Sequence, residues 1–161
     1  MNKKMLSVIS ALLLFSVFFL AACSGGSEDS APANADDVKT AGEDIEDATE
    51  LSFWTFAGTH ATFYANAADR WNKENPDKAI KLTLENYPFD QMHNNLLMAL
   101  QSGSGAPDIA DIELAKFPNF LKGDVQLEPL NDLIEPELDS FMEERINIYA
   151  KDGKYYGAPT H

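Results

Sequence analysis

Three short polar stretches each follow an extended segment and precede a helical one, and each carries groups able to hold a polar ligand. Ala57-Gly58-Thr59-His60 combines a hydroxyl and an imidazole with the unpaired backbone N–H groups of a helix start. Tyr87-Pro88-Phe89-Asp90 offers an aromatic face, Tyr87 being the candidate platform. Glu113-Leu114-Ala115-Lys116 offers a carboxylate, which has acceptor sites only and suits a ligand rich in hydroxyls. In open α/β sheets, ligands bind beyond the carboxyl ends of the strands, where all three stretches fall. Plainer roles stand beside these: Thr59 caps the helix, His60 is a solvated loop residue, and Asp90 is a helix cap before it is a contact. Glu113 is the favoured carboxylate, with Asp111 expected at the solvated end of a short strand.

Other chemistries find little support. His60, His93 and His161 are the only histidines, and no two stand three or four residues apart. With the single Cys23 there is no thiolate cluster either, so neither a metal site nor a cofactor is expected. The chain has no G-x-x-x-x-G-K and no G-x-S-x-G. Gly103-Ser104-Gly105 reads as a helix stop. No nucleophile–base pair stands out, so the residues point to binding rather than to catalysis; pairs distant in sequence remain open.

The elements that must position these groups follow from periodicity. Residues 51–56 and the strictly alternating 80–84 read as strands, and 108–112 as a short third. Residues 61–75 read as a helix with Phe63, Ala67 and Trp71 on one apolar face, stopped by Asn75-Pro76. A second helix runs from Asp90 to Ser102, with Met92, Leu96, Ala99 and Leu100 inward. Phe53, Trp54, Phe63 and Trp71 are expected in the core. A short helix over 116–121, a helix over 138–149 and a hairpin around Asp152-Gly153 complete the reading. Strand, helix, strand, helix, strand implies an α/β fold with a mostly parallel βαβαβ sheet and helices on both faces.

The N-terminus is of another kind. Lys3 and Lys4 precede an almost wholly apolar run from Met5 to Ala22, the pattern of an export signal. Leu20-Ala21-Ala22-Cys23 resembles the lipobox of bacterial lipoproteins. That resemblance implies cleavage before Cys23, lipidation of its thiol, and anchoring on the extracytoplasmic face of the cell membrane. An uncleaved transmembrane helix is the alternative. Residues 23–50 hold nine acidic side chains against Lys39 and few large apolar ones, so they read as a disordered acidic tether. The formal charge of −14 divides into +2 for residues 1–22, −8 for the tether and −8 from Leu51 onward. An acidic body argues against nucleic acid and against an anionic lipid surface. Residues 51–161 suffice for one small core.

Taken together, the lipobox, the acidic tether, F-W-T-F, W-N-K-E-N-P, L-L-M-A-L-Q-S-G-S-G-A-P-D-I-A-D-I and D-G-K-Y-Y-G-A-P resemble the start of a family 1 extracellular solute-binding lipoprotein of a sugar ABC importer, closest to the arabinose- or lactose-type proteins of Gram-positive bacteria. The resemblance covers essentially the whole chain. It implies a type II periplasmic-binding-protein-like fold of two α/β lobes with sugar in the cleft between them. Residues 51–161 would then be an incomplete N-terminal lobe, truncated at the hinge, of a fragment or shortened gene product. It also implies a carbohydrate ligand, ABC permease subunits as partners, and a monomer. By the same resemblance the 57–60 and 113–116 loops face the cleft and His161 is a cleft residue; Phe56, the aromatic nearest the first loop, is the one expected to stack on sugar. A non-sugar solute, a truncated surface lipoprotein acting as an interaction module, and an exported hydrolase are the competing readings.

Overall fold

The computed structural model describes residues 37–160. A four-stranded sheet is built from β1 (Val38–Ala41), β2 (Thr49–Thr55), β3 (Ile80–Asn86) and β4 (Ile109–Ala110), in the order β1-β3-β2-β4. β3 and β4 run parallel to β2 on its two sides, while β1 pairs antiparallel with the outer edge of β3. The α/β class and the parallel βαβαβ core match the sequence reading. Helices α1 (Gly58–Glu74) and α2 (Phe89–Ser102) make the two crossovers.

The crossovers, from β2 to β3 and from β3 to β4, run in opposite directions across the sheet, so their helices cover opposite faces. Strand alternation sorts the side chains accordingly. Phe53, Leu82 and Leu84 pack with Ala61 and Ala68 of α1. Trp54 points the other way and packs with Tyr87, and with Met92 and Leu96 of α2. α2 ends at Gly103 in the left-handed conformation (φ 71°), with Gly103 N–H bonded to the Leu100 carbonyl and Ser104 N–H to that of Ala99. This 5→2 and 6→1 pattern is the Schellman stop expected of the glycine.

Several expectations are corrected. Residues 38–41 were expected in a disordered tether, yet they form β1, and β2 begins at Thr49. An edge strand is held by backbone hydrogen bonds, which need no apolar side chains, and Ala41 adds a buried contact. Residues 42–48 make the turn that joins β1 to β2, and residues 1–36 lie outside the described residues. On α1, Phe63 and Trp71 are 55% and 44% exposed rather than core. The buried stripe is Ala61, Ala68 and Asn72. Small residues let α1 sit close on the sheet, and Trp71 turns outward to donate its indole N–H to the Lys78 carbonyl. Neither Thr59 nor Asp90 caps a helix. The N-cap positions are Ala57 and Pro88, neither with a side-chain bond.

The C-terminal part is less helical than its periodicity suggests. Residues 116–121 contain only the 3₁₀ turn Phe117–Asn119. The helix expected over 138–149 is broken into a 3₁₀ stretch Glu135–Ser140, α4 (Glu143–Ile146) and a 3₁₀ turn Asn147–Tyr149, α3 being Asn131–Ile134. Phe141 and Met142 are extended between the pieces. The break lets Phe117, Ile134, Ile146 and Tyr149 close a third apolar cluster. The hairpin is as expected: β5 (Ala150–Lys151) and β6 (Lys154–Tyr155) flank Asp152 and Gly153, both at positive φ.

Candidate functional site

The chain turns one way from β2 to β3 and back the other way to β4, so the carboxyl end of β2 is a topological switch point. Thr55 ends β2, fully buried, and its hydroxyl donates to Asp111 Oδ2 at 2.9 Å. Asp111 follows β4, and its N–H continues the ladder to the Trp54 carbonyl at 2.8 Å. From the first turn of α1, His60 Nδ1–H donates to the same Oδ2 at 2.6 Å. Three elements thus converge on one carboxylate oxygen. Asp111 is therefore not at a solvated strand end: its side chain is only 11% exposed. In neutral His60 this bond fixes the proton on Nδ1 and makes Nε2 the acceptor.

Aromatic rings border this cluster. Phe56 is half-buried, with its ring edge-on to His60 at 5.3 Å and to Phe89 at 5.2 Å. Phe89, in the first turn of α2, is partly exposed beside Lys116, whose ammonium pairs with Asp90 at 2.9 Å. Tyr87 was expected to be the exposed platform in this loop, and the structure corrects that. It is 1% exposed, packed on Trp54, with its hydroxyl donating to Glu85. Burial, with the Glu85 bond, pushes its phenol well above the usual value. Proline at position 88 turns the chain, so Phe89 takes the surface position.

Glu113 is half-buried in the loop after β4, and its carboxylate accepts the Ala115 N–H at 2.7 Å, which shapes the turn. Its backbone N–H donates to Nε2 of the buried His93 at 3.0 Å. Thr59 is exposed on the first turn of α1. His161 and Cys23 lie outside the described residues. His60 also lines a groove of about 230 Å³ with Phe63, Tyr64 and Thr160. Tyr64 has its phenol raised by burial and then by the Asp111 charge, against the lowering effect of its bond with Thr160. Thr160 belongs as well to a second groove of about 340 Å³ with Ser140, Phe141, Met142, Arg145 and Pro159. Sequence reasoning weighed Asp111 but favoured Glu113, and it did not single out Phe89, His93 or Tyr64 for this place. Of these, Asp111 had a legible signal, standing one residue beyond the last strand of the βαβαβ unit.

An α/β lobe with hydrogen-bonding groups and aromatic rings gathered at its switch point is a ligand-capturing fold. The chain belongs to the family described as bacterial extracellular solute-binding protein, which it matches over residues 28–161. An arabinooligosaccharide-binding protein of Halalkalibacterium halodurans is 64% identical over 127 residues, covering 79% of this chain and 28% of the relative. One of Bacillus subtilis is 44% identical over 160 residues, covering 99% of this chain and 34% of the relative. Among solved structures, the GacH receptor of Streptomyces glaucescens, studied unliganded and with acarbose, superposes with a TM-score of 0.56 at 25% identity. That match covers 70% of this chain and 29% of the receptor chain. The chain therefore spans about a third or less of the length of these relatives.

Proposed function

We propose that this chain supplies one wall of the ligand cleft of an extracellular carbohydrate-binding lipoprotein, which captures an arabinose-containing oligosaccharide and delivers it to an ABC permease. The observation that carries the reading is the convergence of Thr55, His60 and Asp111 beside the Phe56 and Phe89 rings. Carboxylate and imidazole groups exchange directional hydrogen bonds with sugar hydroxyls. Aromatic faces cover the apolar C–H faces of a sugar ring. The names of the two curated relatives support the choice of sugar. The hydroxyl of this cluster, that of Thr55, is fully buried and committed to Asp111 rather than placed for attack, which favours binding over turnover.

Cys23 carries the lipid in this reading, the protein sits on the extracytoplasmic face, and it works as a monomer. Calorimetry on the natural protein tests the ligand. Linear arabinooligosaccharides are expected to saturate it at micromolar concentration, with polyamines and short peptides giving no heat. Saturation by a polyamine or peptide, with none by any sugar, overturns the reading. Cys23→Ala tests the anchor: the protein is expected to leave the membrane fraction and to lose acyl-chain incorporation.

A further inference from the structure

His93 is 1% exposed and lies on the inner side of α2, packed against the rings of Phe56 at 5.2 Å and Phe89 at 4.7 Å. Both ring nitrogens are engaged. The Phe89 carbonyl can only accept, so Nδ1 carries the proton and donates to it at 2.6 Å. Nε2 must then be the acceptor of the Glu113 N–H at 3.0 Å. The pair of bonds is possible only for the neutral ring in its Nδ1–H form. It ties the loop after β4, which carries Asp111 and Glu113, to the first turn of α2, which carries Phe89.

We propose that His93 is a positioning residue of the cleft, a neutral strut that holds the Asp111–Lys116 loop against α2, and that its protonation releases this loop and weakens ligand binding. An imidazolium has no acceptor, so it would turn Nε2–H toward the Glu113 N–H. The charged groups facing the ring are Lys116 and the carboxylates of Glu113 and Asp111, with Asp90 behind Lys116 and His60 beyond Phe56. Burial holds the imidazole below its usual value, helped by Lys116, while the Phe89 carbonyl and the two carboxylates oppose this. The neutral form therefore persists below the pH at which an exposed histidine charges, and the strut opens only in solution more acid than that.

The consequence for affinity rests on the sugar-binding reading, but the strut can be read without a sugar. In the natural protein, nitrogen NMR of the imidazoles is expected to show His93 as the neutral Nδ1–H tautomer at pH 7. The Glu113 amide is expected to be protected from exchange at pH 7 and to lose about tenfold of that protection as the ring titrates. His93→Gln keeps an acceptor that does not titrate. It is expected to keep Glu113 protection and sugar affinity within about threefold of wild type and to flatten the acid loss of both. His93→Phe, which keeps the ring stack, is expected to lose about tenfold in each. An Nε2–H tautomer, unchanged Glu113 protection in His93→Phe, or an acid limb that survives in His93→Gln overturns the proposal. If wild type binds no sugar yet shows the tautomer and the pH-dependent protection, the strut stands and the sugar reading fails.

Discussion

His60 and Asp111 are 51 positions apart in the chain and 2.6 Å apart in the fold, on a carboxylate oxygen that Thr55 also occupies. This contact joins the first turn of α1 to the residue after β4, across the end of β2. A carboxylate with two donors on one oxygen is oriented with little freedom, and it orients the imidazole in turn.

Asp111→Asn tests that orientation. Asn can accept from Thr55 or His60, but it has lost the charge that strengthens both bonds, and a bond to an ionised acceptor contributes roughly 1.5–3 kcal/mol against about 0.5–1.5 kcal/mol for a neutral one. Sugar affinity of the natural protein is expected to fall at least tenfold by calorimetry. The melting temperature is expected to fall by only a few degrees.

Phe89→Ala removes a partly exposed ring that packs edge-on against Phe56. If the ring covers a sugar face, its loss costs about 0.5–1.5 kcal/mol of binding, a weakening of roughly three- to tenfold in Kd. Tyr87→Phe, which touches a buried neighbour, is expected to leave Kd unchanged and to lower stability instead. The two variants measured side by side separate surface ring from core ring.

Asn72→Ala addresses stability alone. The buried Asn72 amide accepts from the Ile80 N–H and donates to the Ile80 carbonyl, both at 2.8 Å, in the manner of a neighbouring strand. Alanine leaves both backbone groups short of a partner at the start of β3. The expected loss is about 2–4 kcal/mol in urea unfolding, with little change in ligand specificity.

Asp108→Ala changes the acid limb of stability. The Asp108 carboxylate accepts the Ser52 N–H and hydroxyl, at 2.8 and 2.7 Å. Those bonds hold it below the usual aspartate value. A carboxyl depressed in the folded state contributes stability above its unfolded value of about 3.9 and loses it as pH falls through the lower folded value. Wild type is therefore expected to lose more stability than Asp108→Ala between pH 5 and 2, as measured by thermal melts.

Legibility in the sequence followed the range of the interactions. Strict alternation in 80–84 marked β3, because a half-buried strand needs nothing more than one apolar face. Gly103 and Pro76 marked the ends of α2 and α1, because their constraints act within their own residues. Periodicity failed where two helices were possible but a third core was needed. At residues 138–149, burying Ile146 and Tyr149 together outweighed the propensity for one continuous helix. The strand at 38–41 escaped notice because its stabilising bonds belong to the edge of β3, which its own composition cannot reveal.

The sequence by itself determined the α/β class, the parallel βαβαβ core, the two crossover helices and the three loops that end on one edge of the sheet. Those follow from local backbone preferences and from the spacing of apolar residues. Only the tertiary structure decided which side chains in those loops meet. Asp111 rather than Glu113 receives His60 and Thr55, because the register of β4 against β2 aims that residue across the switch point. Phe89 rather than Tyr87 reaches the surface, because Tyr87 is the first large side chain after β3 able to seal the face of Trp54. His93 joined the site because the β4 loop arrives with a backbone N–H where its second nitrogen needs one. Each of these choices turns on a distance of a few ångströms between segments far apart in the chain, which no local pattern encodes.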